Sequence, residues 1–305
     1  MPIIFATRPS ALARWQTQWV IQELQKAWPD LECQEKIITT QGDRILDRPL
    51  PEIGGKGLFT QELEAEIHSG QVHAAVHSLK DLPTDLSPDL PVGAIPRRAE
   101  VRDALISARG YTLDSLPEGA RVGTSSLRRS AQLLAYRPDL RVESLRGNVD
   151  TRVRKAQRGD YDAVLIAGAG LIRLGLEDQI TQWLPLEVML PAPGQGALAV
   201  QCRAGDAHTL KYLAAIDDPS TRKTTTAERT FLSELGGGCS VPVAAYAKLN
   251  GDQIELNSLV ASLDGKQVIR CRGWKEDPSE LGRESAIQVL AEGADHILKT
   301  VLSGG

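Results

Sequence analysis

Short apolar runs alternate with amphipathic stretches along the first half of the chain. Ile3 to Ala6 forms an apolar run, and the stretch from Ser10 to Pro29 carries apolar residues at roughly helical spacing. Ser10 is expected to cap this helix, and Pro29 to end it. Further strands are predicted at 37–38 and 72–76, with a helix at 58–68 between them. This alternation predicts βα units on a largely parallel sheet.

A second block with the same alternation begins near residue 104. It predicts strands at 104–107, 121–123, 142–144 and 163–167, with helices between them. The segment Leu-Pro-Ala-Pro-Gly-Gln-Gly at 190–196 is expected to cross between two lobes, and the apolar strand at 197–201 to return to the first sheet. Two such crossings predict two α/β lobes joined by hinges around a cleft.

The pattern changes again after residue 216. A helix is predicted at 221–235, and the pairs Asn250-Gly251 and Asp264-Gly265 are typical of two-residue hairpin turns. They predict a three-stranded antiparallel sheet, covered by a helix from about Ser279 to Leu302. The predicted domains are 1–98 with 197–216 for the first lobe, 99–196 for the second lobe and 217–305 for a small α+β domain.

Composition agrees with a globular protein of two or three domains: the 305 residues are 42% hydrophobic and 24% charged. No apolar stretch approaches the roughly 18 residues of a membrane span. The first residues lack the pattern of a signal peptide, so we expect the cytoplasm, or the plastid stroma for a processed form. The cysteines lie too far apart to indicate a zinc motif or a dense disulfide framework.

Charge is distributed unevenly. The chain has a formal net charge of -4, yet residues 121–158 contain ten basic and three acidic side chains, a local net of +7. Arginine's planar fork suits carboxylates and phosphates. The segment therefore predicts a site for a small polyanion or for nucleic acid.

Two junctions between strand and helix carry these arginines. Gly123-Thr-Ser-Ser-Leu-Arg-Arg129 precedes one predicted helix, and Arg146-Gly-Asn148 precedes the next, which carries Arg152. Helix N-termini and the carboxyl ends of strands both favour anions. Capped surface helices with solvated arginines remain an alternative for either segment. Arg8 and Ser10 stand at an equivalent junction of the first lobe, where they are expected to supply an opposing wall.

Three further segments carry residues with possible chemical roles. Cys239 follows three glycines and precedes Pro242, which favours an accessible thiol over a buried one. Lys80 and Asp81 come directly after a predicted strand, where an acid would face a cationic pocket. The histidines at 73 and 77 are four apart on a strand, roughly 13 Å, so no metal site is predicted.

Six motifs, in order along nearly the whole chain, resemble those of the porphobilinogen deaminase family. They are Ala6-Thr-Arg-Pro-Ser10, Gly54-Gly-Lys-Gly-Leu-Phe59, Val76-His-Ser-Leu-Lys-Asp81, Gly123-Thr-Ser-Ser-Leu-Arg-Arg129, Arg146-Gly-Asn-Val-Asp-Thr-Arg152 and Gly238-Cys-Ser-Val-Pro242. The resemblance implies two lobes like those of periplasmic binding proteins, with a small third domain presenting a cysteine.

The resemblance also implies a reaction. A dipyrromethane cofactor would be attached to Cys239 through a thioether, and four porphobilinogen molecules would condense onto it head to tail with loss of ammonia. Water would then release the linear tetrapyrrole hydroxymethylbilane, on the route to heme and chlorophyll. Asp81 matches the family's catalytic aspartate.

The remaining site residues implied by the resemblance bind carboxylates of the cofactor or of the substrate. For the cofactor they are Lys80, Thr124, Ser126, Arg128, Arg129, Arg146, Gly147 and Arg152. For the substrate they are Arg8, Ser10, Lys56, Ser78, Arg173 and Gln195.

The expected partner is porphobilinogen alone, with no nucleic acid, no membrane and a monomeric chain. Three other functions fit parts of the sequence: a non-enzymatic anion receptor, an RNA-binding protein and a cysteine hydrolase. The acidic net charge argues against RNA, and a hydrolase needs a histidine beside Cys239 that the sequence neither shows nor excludes.

Overall fold

The computed structural model describes residues 2–44, 60–236 and 241–303 of the chain. Contacts divide these residues into two compact units. The first contains the described residues up to 44 together with 60–99 and 196–222, and the second contains 100–195 and the described residues from 223 onward. Among the described residues, none of the helices is both long and apolar enough to cross a bilayer.

Elements are numbered in chain order. Up to residue 99 they are β1 (Ile3–Thr7), α1 (Ala11–Ala27), β2 (Cys33–Ile37), α2 (Gln41–Arg44), α3 (Gln61–His68), β3 (Ala74–Ser78), a 3₁₀ turn (Leu79–Asp81) and β4 (Val92–Ala94). From 100 to 195 they are β5 (Asp103–Ile106), β6 (Arg121–Gly123), α4 (Leu127–Tyr136), β7 (Arg141–Glu143), α5 (Val149–Gln157), β8 (Ala163–Ala167), α6 (Gly168–Arg173), a 3₁₀ turn (Glu177–Gln179) and β9 (Gln182–Trp183).

The rest of the chain forms β10 (Leu198–Cys202), α7 (Ala207–Leu213), a 3₁₀ turn (Ala214–Ile216), α8 (Pro219–Glu234), β11 (Val243–Asn250), β12 (Gln253–Ala261), β13 (Val268–Lys275), α9 (Pro278–Val289) and α10 (Asp295–Ser303). The strands predicted from apolar runs agree with these bounds to within a few residues.

Two five-stranded sheets share one topology. Their strand orders are β2-β1-β3-β10-β4 and β7-β6-β8-β5-β9. In each sheet the first three strands are parallel and the fourth is antiparallel to the third. The strand predicted to return to the first sheet does so, because β10 pairs with β3 and β4. The predicted mixed α/β class is confirmed.

Helix α1 buries polar as well as apolar residues, which its apolar spacing does not predict. Ser10 caps it as predicted, accepting a hydrogen bond from the Ala13 N–H at 3.2 Å. Val20 and Leu24 are buried in the core of the first sheet, as the apolar spacing predicts. Gln16 and Thr17 are buried as well, whereas Leu12 and Trp15 are only half-buried. The buried face of α1 thus includes polar residues, one of which, Gln16, donates a hydrogen bond to Ser78 at the end of β3.

Apolar side chains cover both faces of the second sheet. Leu105 and Leu165 belong to one core cluster, and Ala104 and Ile166 to another. Successive residues of a strand point to opposite faces, so β8 is apolar throughout and β5 is apolar from Ala104 onward. This sheet is a buried central layer with helices and loops on either side.

The C-terminal part confirms the predicted three-stranded antiparallel sheet, in the order β11-β12-β13. Both predicted turn glycines, Gly251 and Gly265, have positive φ angles and lie in the turns. The predicted two-residue loops are wrong in register and length: Asn250 pairs with Gln253, so the first loop is shifted by one residue, and Ala261 pairs with Val268, so the second turn is longer. The predicted single final helix is wrong in one respect. A π-helical stretch at Leu290–Ala294 separates α9 from α10, because Gly293 adopts φ 102°.

Candidate functional site

Three parallel strands of the second unit end at one edge of their sheet. They are β7, β6 and β8, which are neighbours in the sheet order. Thr124 follows β6, Arg146 follows β7, and the helix carrying Arg173 follows β8. The topology therefore brings the three predicted anion-binding segments to one edge, where ligands of open α/β sheets bind.

The loop after β6 is ordered by its hydroxyl groups. The Thr124 Oγ1 accepts a hydrogen bond from the Ser126 N–H at 3.2 Å, and Ser126 caps α4 through the Arg129 N–H. Ser125, to which the sequence assigned no role, accepts a hydrogen bond from the Leu145 N–H at 3.0 Å. Its hydroxyl also donates to the Leu145 carbonyl at 2.9 Å. The hydroxyls thus join the loops that follow β6 and β7.

Arg128 and Arg129 are more buried than an anion-binding surface suggests, since each is only 5% exposed. Both pair with Asp103, a fully buried residue that the sequence analysis missed. One oxygen of Asp103 lies 2.8 Å from Arg128 Nη1, and the other lies 2.8 Å from Arg129 Nη2. Burial raises the pKa of this carboxyl, but the two guanidinium groups outweigh that effect and hold the pKa well below its usual range.

Gln195 belongs to the same buried group. Its Nε2 donates to Asp103 at 3.0 Å and to the Val101 carbonyl at 2.8 Å, and the side chain is fully buried. The sequence predicted a substrate-binding role for Gln195. In the structure the Gln195 amide donates a hydrogen bond to Asp103, the carboxylate that pairs with Arg128 and Arg129.

One donor in this group has no protein acceptor. The Nε of Arg128 is buried and has no hydrogen-bond partner among the described residues. Buried polar groups are nearly always hydrogen-bonded, and guanidinium forks bind carboxylates side-on. The donor set therefore fits a ligand that carries carboxylates.

The loop after β7 depends on a glycine. Gly147 has φ +111°, and a Cβ there would lie 2.7 Å from the Thr151 side chain. Its carbonyl accepts a hydrogen bond from Arg152 Nε at 2.8 Å. The carbonyl of the preceding residue, Arg146, accepts one from Lys155 at 3.2 Å. Gly147 thus orients the Arg152 side chain through its carbonyl. Its predicted role in binding the cofactor stays a prediction.

At the end of α6, burial lowers the pKa of the Arg173 guanidinium to about 10. An anion beside Arg173 would stabilise its charged form.

The first unit has an equivalent edge at the ends of β2, β1 and β3. Arg8, after β1, forms a two-point ion pair with Asp43 of α2. Asp43 also accepts hydrogen bonds from the hydroxyl and the N–H of Thr40, at 2.8 and 3.2 Å. The sequence found Arg8 but not the aspartate that orients it.

Asp81 ends the 3₁₀ turn that follows β3, and its side chain is exposed. The turn is held to the neighbouring strand, since the Leu79 N–H donates to the Ala197 carbonyl at 3.0 Å. Ser78, at the end of β3, accepts a hydrogen bond from Gln16 at 2.9 Å. Buried Gln16 therefore has a role at the site edge that hydrophobic periodicity could not reveal.

Part of the basic stretch has structural roles instead. Arg137 ends α4, donates to the Leu113 and Leu116 carbonyls at 2.8 and 2.9 Å, and pairs with Asp139. Arg154 and Arg158 are exposed and pair with carboxylates of their own segment. These three arginines of the basic stretch therefore pair with groups of the protein itself.

Two predicted site residues, Lys56 and Cys239, lie outside the described residues. Their roles remain predictions.

Two α/β sheets of matching order, with cationic and hydroxyl groups at the carboxyl ends of their strands, are typical of proteins that bind multiply charged anions. Residues 3–211 match the family model described as porphobilinogen deaminase, dipyromethane cofactor binding domain, and residues 223–291 match that of the porphobilinogen deaminase C-terminal domain. The chain belongs to the porphobilinogen deaminase family.

Relatives named porphobilinogen deaminase extend over nearly the full length. That of Roseiflexus castenholzii is 52% identical over 97% of this chain and 98% of its own, and that of Brevibacillus brevis is 50% identical over 97% and 96%. Among solved structures, the substrate binding domain of a putative molybdenum ABC transporter from Clostridium difficile is 11% identical, with a TM-score of 0.44 over 73% of this chain and 94% of its own.

The family decides among the functions that the sequence left open. The chain is a transferase of tetrapyrrole biosynthesis, which condenses porphobilinogen stepwise on a dipyrromethane cofactor and yields hydroxymethylbilane.

Proposed function

We propose that the basic and hydroxyl side chains at the strand ends of the second unit hold the carboxylates of cofactor and substrate. The gathering of Thr124, Arg146 and Arg173 at one sheet edge carries this proposal. Each pyrrole ring of the ligand brings an acetate and a propionate, so its charge matches a local excess of arginine. The Nε of buried Arg128, which has no acceptor in the part of the chain that the structure describes, is available to bind a ligand carboxylate.

Individual residues of this edge would have different roles in binding the carboxylates. Ser126 and Thr124 present a capped helix N-terminus, which favours negative charge. Arg152 is oriented by the Gly147 carbonyl. A bound anion would stabilise the charged form of Arg173, which burial disfavours. Arg129 and Arg146 would add further positive charge at this edge. The cofactor-binding role of Lys80, in the first unit, stays a prediction.

In the first unit we propose Asp81 as the catalytic aspartate, which acts as an ionised carboxylate. Loss of ammonia from porphobilinogen leaves an electron-poor species that is cationic when protonated at nitrogen. A carboxylate about 4 Å from such a cation stabilises it by about 4 kcal/mol at an effective dielectric constant of about 20. Confined to the transition state, that is about a thousandfold in rate. Arg8, Ser10, Ser78 and Lys56 would position the substrate carboxylates. The substrate-binding role of Gln195, in the second unit, stays a prediction.

Cys239 is proposed to hold the cofactor through a thioether. When bound, the dipyrromethane supplies the free α-carbon that reacts with the first substrate molecule. The chain itself then needs no nucleophilic serine or histidine.

The intact mass of the purified protein tests the attachment site. We expect the wild type to exceed the mass of the chain by two pyrrole units and Cys239→Ser to lose this excess. Cys33→Ser is the matched control, because Cys33 is a free, half-buried cysteine of the first unit, and it should retain the excess. Active wild-type protein with an unmodified thiol at position 239 would overturn the proposal.

We further propose a cytoplasmic monomer that acts on porphobilinogen without a nucleic-acid or membrane partner. The acidic net charge of -4 and the bacterial relatives support it. Light scattering should give the chain mass of 33.1 kDa, and a dimer mass would contradict the monomer.

A further inference from the structure

We infer that Asp103 is a positioning residue of the transferase reaction: it forms ion pairs with the inner nitrogens of Arg128 and Arg129 and thereby aims the Nε edge of Arg128 at a ligand carboxylate. The inference rests on the proposed function, in which Arg128 binds such a carboxylate.

The donors of the two arginines are used differently. Arg129 donates from Nε and Nη2 to Asp103, at 3.1 and 2.8 Å, and from Nη1 to the Leu165 carbonyl at 3.2 Å. Arg128 engages the protein through Nη1, which lies 2.8 Å from Asp103 and 2.7 Å from the Leu190 carbonyl. Its buried Nε has no partner among the described residues. Of these two arginines, it is Arg128 that has a buried donor without an acceptor among the described residues.

Asp103 is itself held firmly. It is fully buried, begins β5 and pairs with Ala167 of β8. The Gln195 amide donates to the oxygen that also binds Arg129, at 3.0 Å. A carboxylate fixed by backbone pairing, an amide and two guanidinium groups has one orientation, so it can fix the orientation of Arg128 in turn.

Electrostatics requires this carboxylate. Burial lowers the pKa of Arg128, and the charge of neighbouring Arg129 lowers it further, whereas Asp103 raises it. The described contacts surround Arg128 with the negative charge of Asp103, the positive charge of Arg129 and the neutral amide of Gln195. Without Asp103, two buried like charges would repel each other and lose their alignment.

The test compares Asp103→Asn, which keeps shape but removes charge, with Asp103→Glu, which keeps charge but shifts its position. Asp139→Asn is the matched control, since Asp139 pairs with Arg137 in the same unit at a more exposed position. We expect Asp103→Asn to raise the KM for porphobilinogen about tenfold or more with a smaller change in kcat, as loss of an orienting partner does. The fraction of protein carrying the cofactor mass should also fall.

The conservative variant separates positioning from stability alone. Because Asp103→Glu keeps the charge, it should raise the KM less than Asp103→Asn and retain more of the cofactor mass, even where the two variants have equal melting temperatures. It also supplies the measurement if Asp103→Asn does not fold.

Two outcomes are decisive. If both Asp103 variants keep the KM and the cofactor occupancy of Asp139→Asn, and differ only in melting temperature, the positioning role is overturned. Arg128→Gln tests the underlying proposal by itself: unchanged KM and occupancy in that variant would show that Arg128 binds no ligand carboxylate, whatever Asp103 does.

Discussion

Single carboxylates decide what the arginines at the strand ends can do. Asp43 orients Arg8 in the first unit, and Asp103 orients Arg128 and Arg129 in the second. Burial raises the pKa of Asp43, but the ion pair with Arg8 and the hydrogen bonds from Thr40 outweigh it, so the pKa is lowered. Each of these arginines is therefore presented in a fixed geometry.

Asp81→Asn should reduce kcat about a thousandfold, because it removes the charge proposed to stabilise the cationic intermediate. Asp81 is exposed, so the melting temperature should hardly change. Steady-state kinetics and thermal unfolding check both expectations. Asp85→Asn, an exposed aspartate four residues further on, serves as control and should keep wild-type activity. Retention of most activity by Asp81→Asn would remove Asp81 from the proposed role.

His77 predicts a pH dependence of stability. Burial, with a smaller contribution from the charge of Arg8, lowers its pKa to about 4, although the neighbouring Gln201 side chain acts in the opposite direction. An unfolded histidine has a pKa of about 6.5. Between these values the unfolded chain binds a proton that folded His77 does not, so stability falls as the pH falls from about 6.5 to about 4.

The expected loss is on the order of 3 kcal/mol. Urea unfolding at several pH values should show that His77→Gln loses less stability over this range than the wild type. His68→Gln changes an exposed histidine and should leave the wild-type dependence intact. Equal slopes for all three proteins would show that His77 titrates normally.

At the scale of elements, α4 is held at both ends. Ser126 caps its N-terminus next to the anion-binding loop. Towards its C-terminus the hairpin turn between β12 and β13 packs on its backbone, where a Cβ at Gly265 would lie 2.3 Å from the Ala135 nitrogen. The C-terminal sheet thus supports the helix that carries Arg128.

Gly265→Ala should therefore destabilise the protein twice over. A positive φ of 72° costs a non-glycine residue about 1–2 kcal/mol, and the contact with α4 forces the turn away from the helix. Gly251→Ala is the matched control: Gly251 has φ +62° in the other hairpin, but no atom lies within 4 Å of its Cβ position. Denaturant unfolding should show a larger loss for Gly265→Ala, and equal losses would mean that the helix contact contributes nothing.

At the scale of the whole molecule, charge is segregated: a stretch with a local net of +7 lies within a chain of net charge -4. Such a field concentrates anionic substrates, and salt screens it. The screening length is about 10 Å at 0.1 M salt and about 3 Å at 1 M.

We expect kcat/KM for porphobilinogen to fall steadily as salt is raised over this range. Arg154→Gln removes an exposed charge of the basic stretch and should reduce the slope. Lys266→Gln removes an exposed charge on the C-terminal hairpin and should leave the slope as it is. A kcat/KM independent of salt would contradict a role for the basic stretch in attracting substrate.

The sequence alone determined most of the elements and many of the candidate site residues. Period-two and helical apolar patterns, capping Ser10 and Ser126, and the hairpin pairs Asn250-Gly251 and Asp264-Gly265 are local signals, because capping and turn geometry depend on neighbouring residues. Ordered motifs along the chain indicated the family, which the comparisons then confirmed.

Only the tertiary structure decided how the site residues are oriented. Asp103 meets Arg128 from 25 positions away, Gln195 meets Asp103 across 92 positions, and Gln16 meets Ser78 across 62. Each of these polar residues looks ordinary in its own segment. Their partners are set by sheet order and by the need of buried polar groups for hydrogen bonds, and neither can be read from a local pattern.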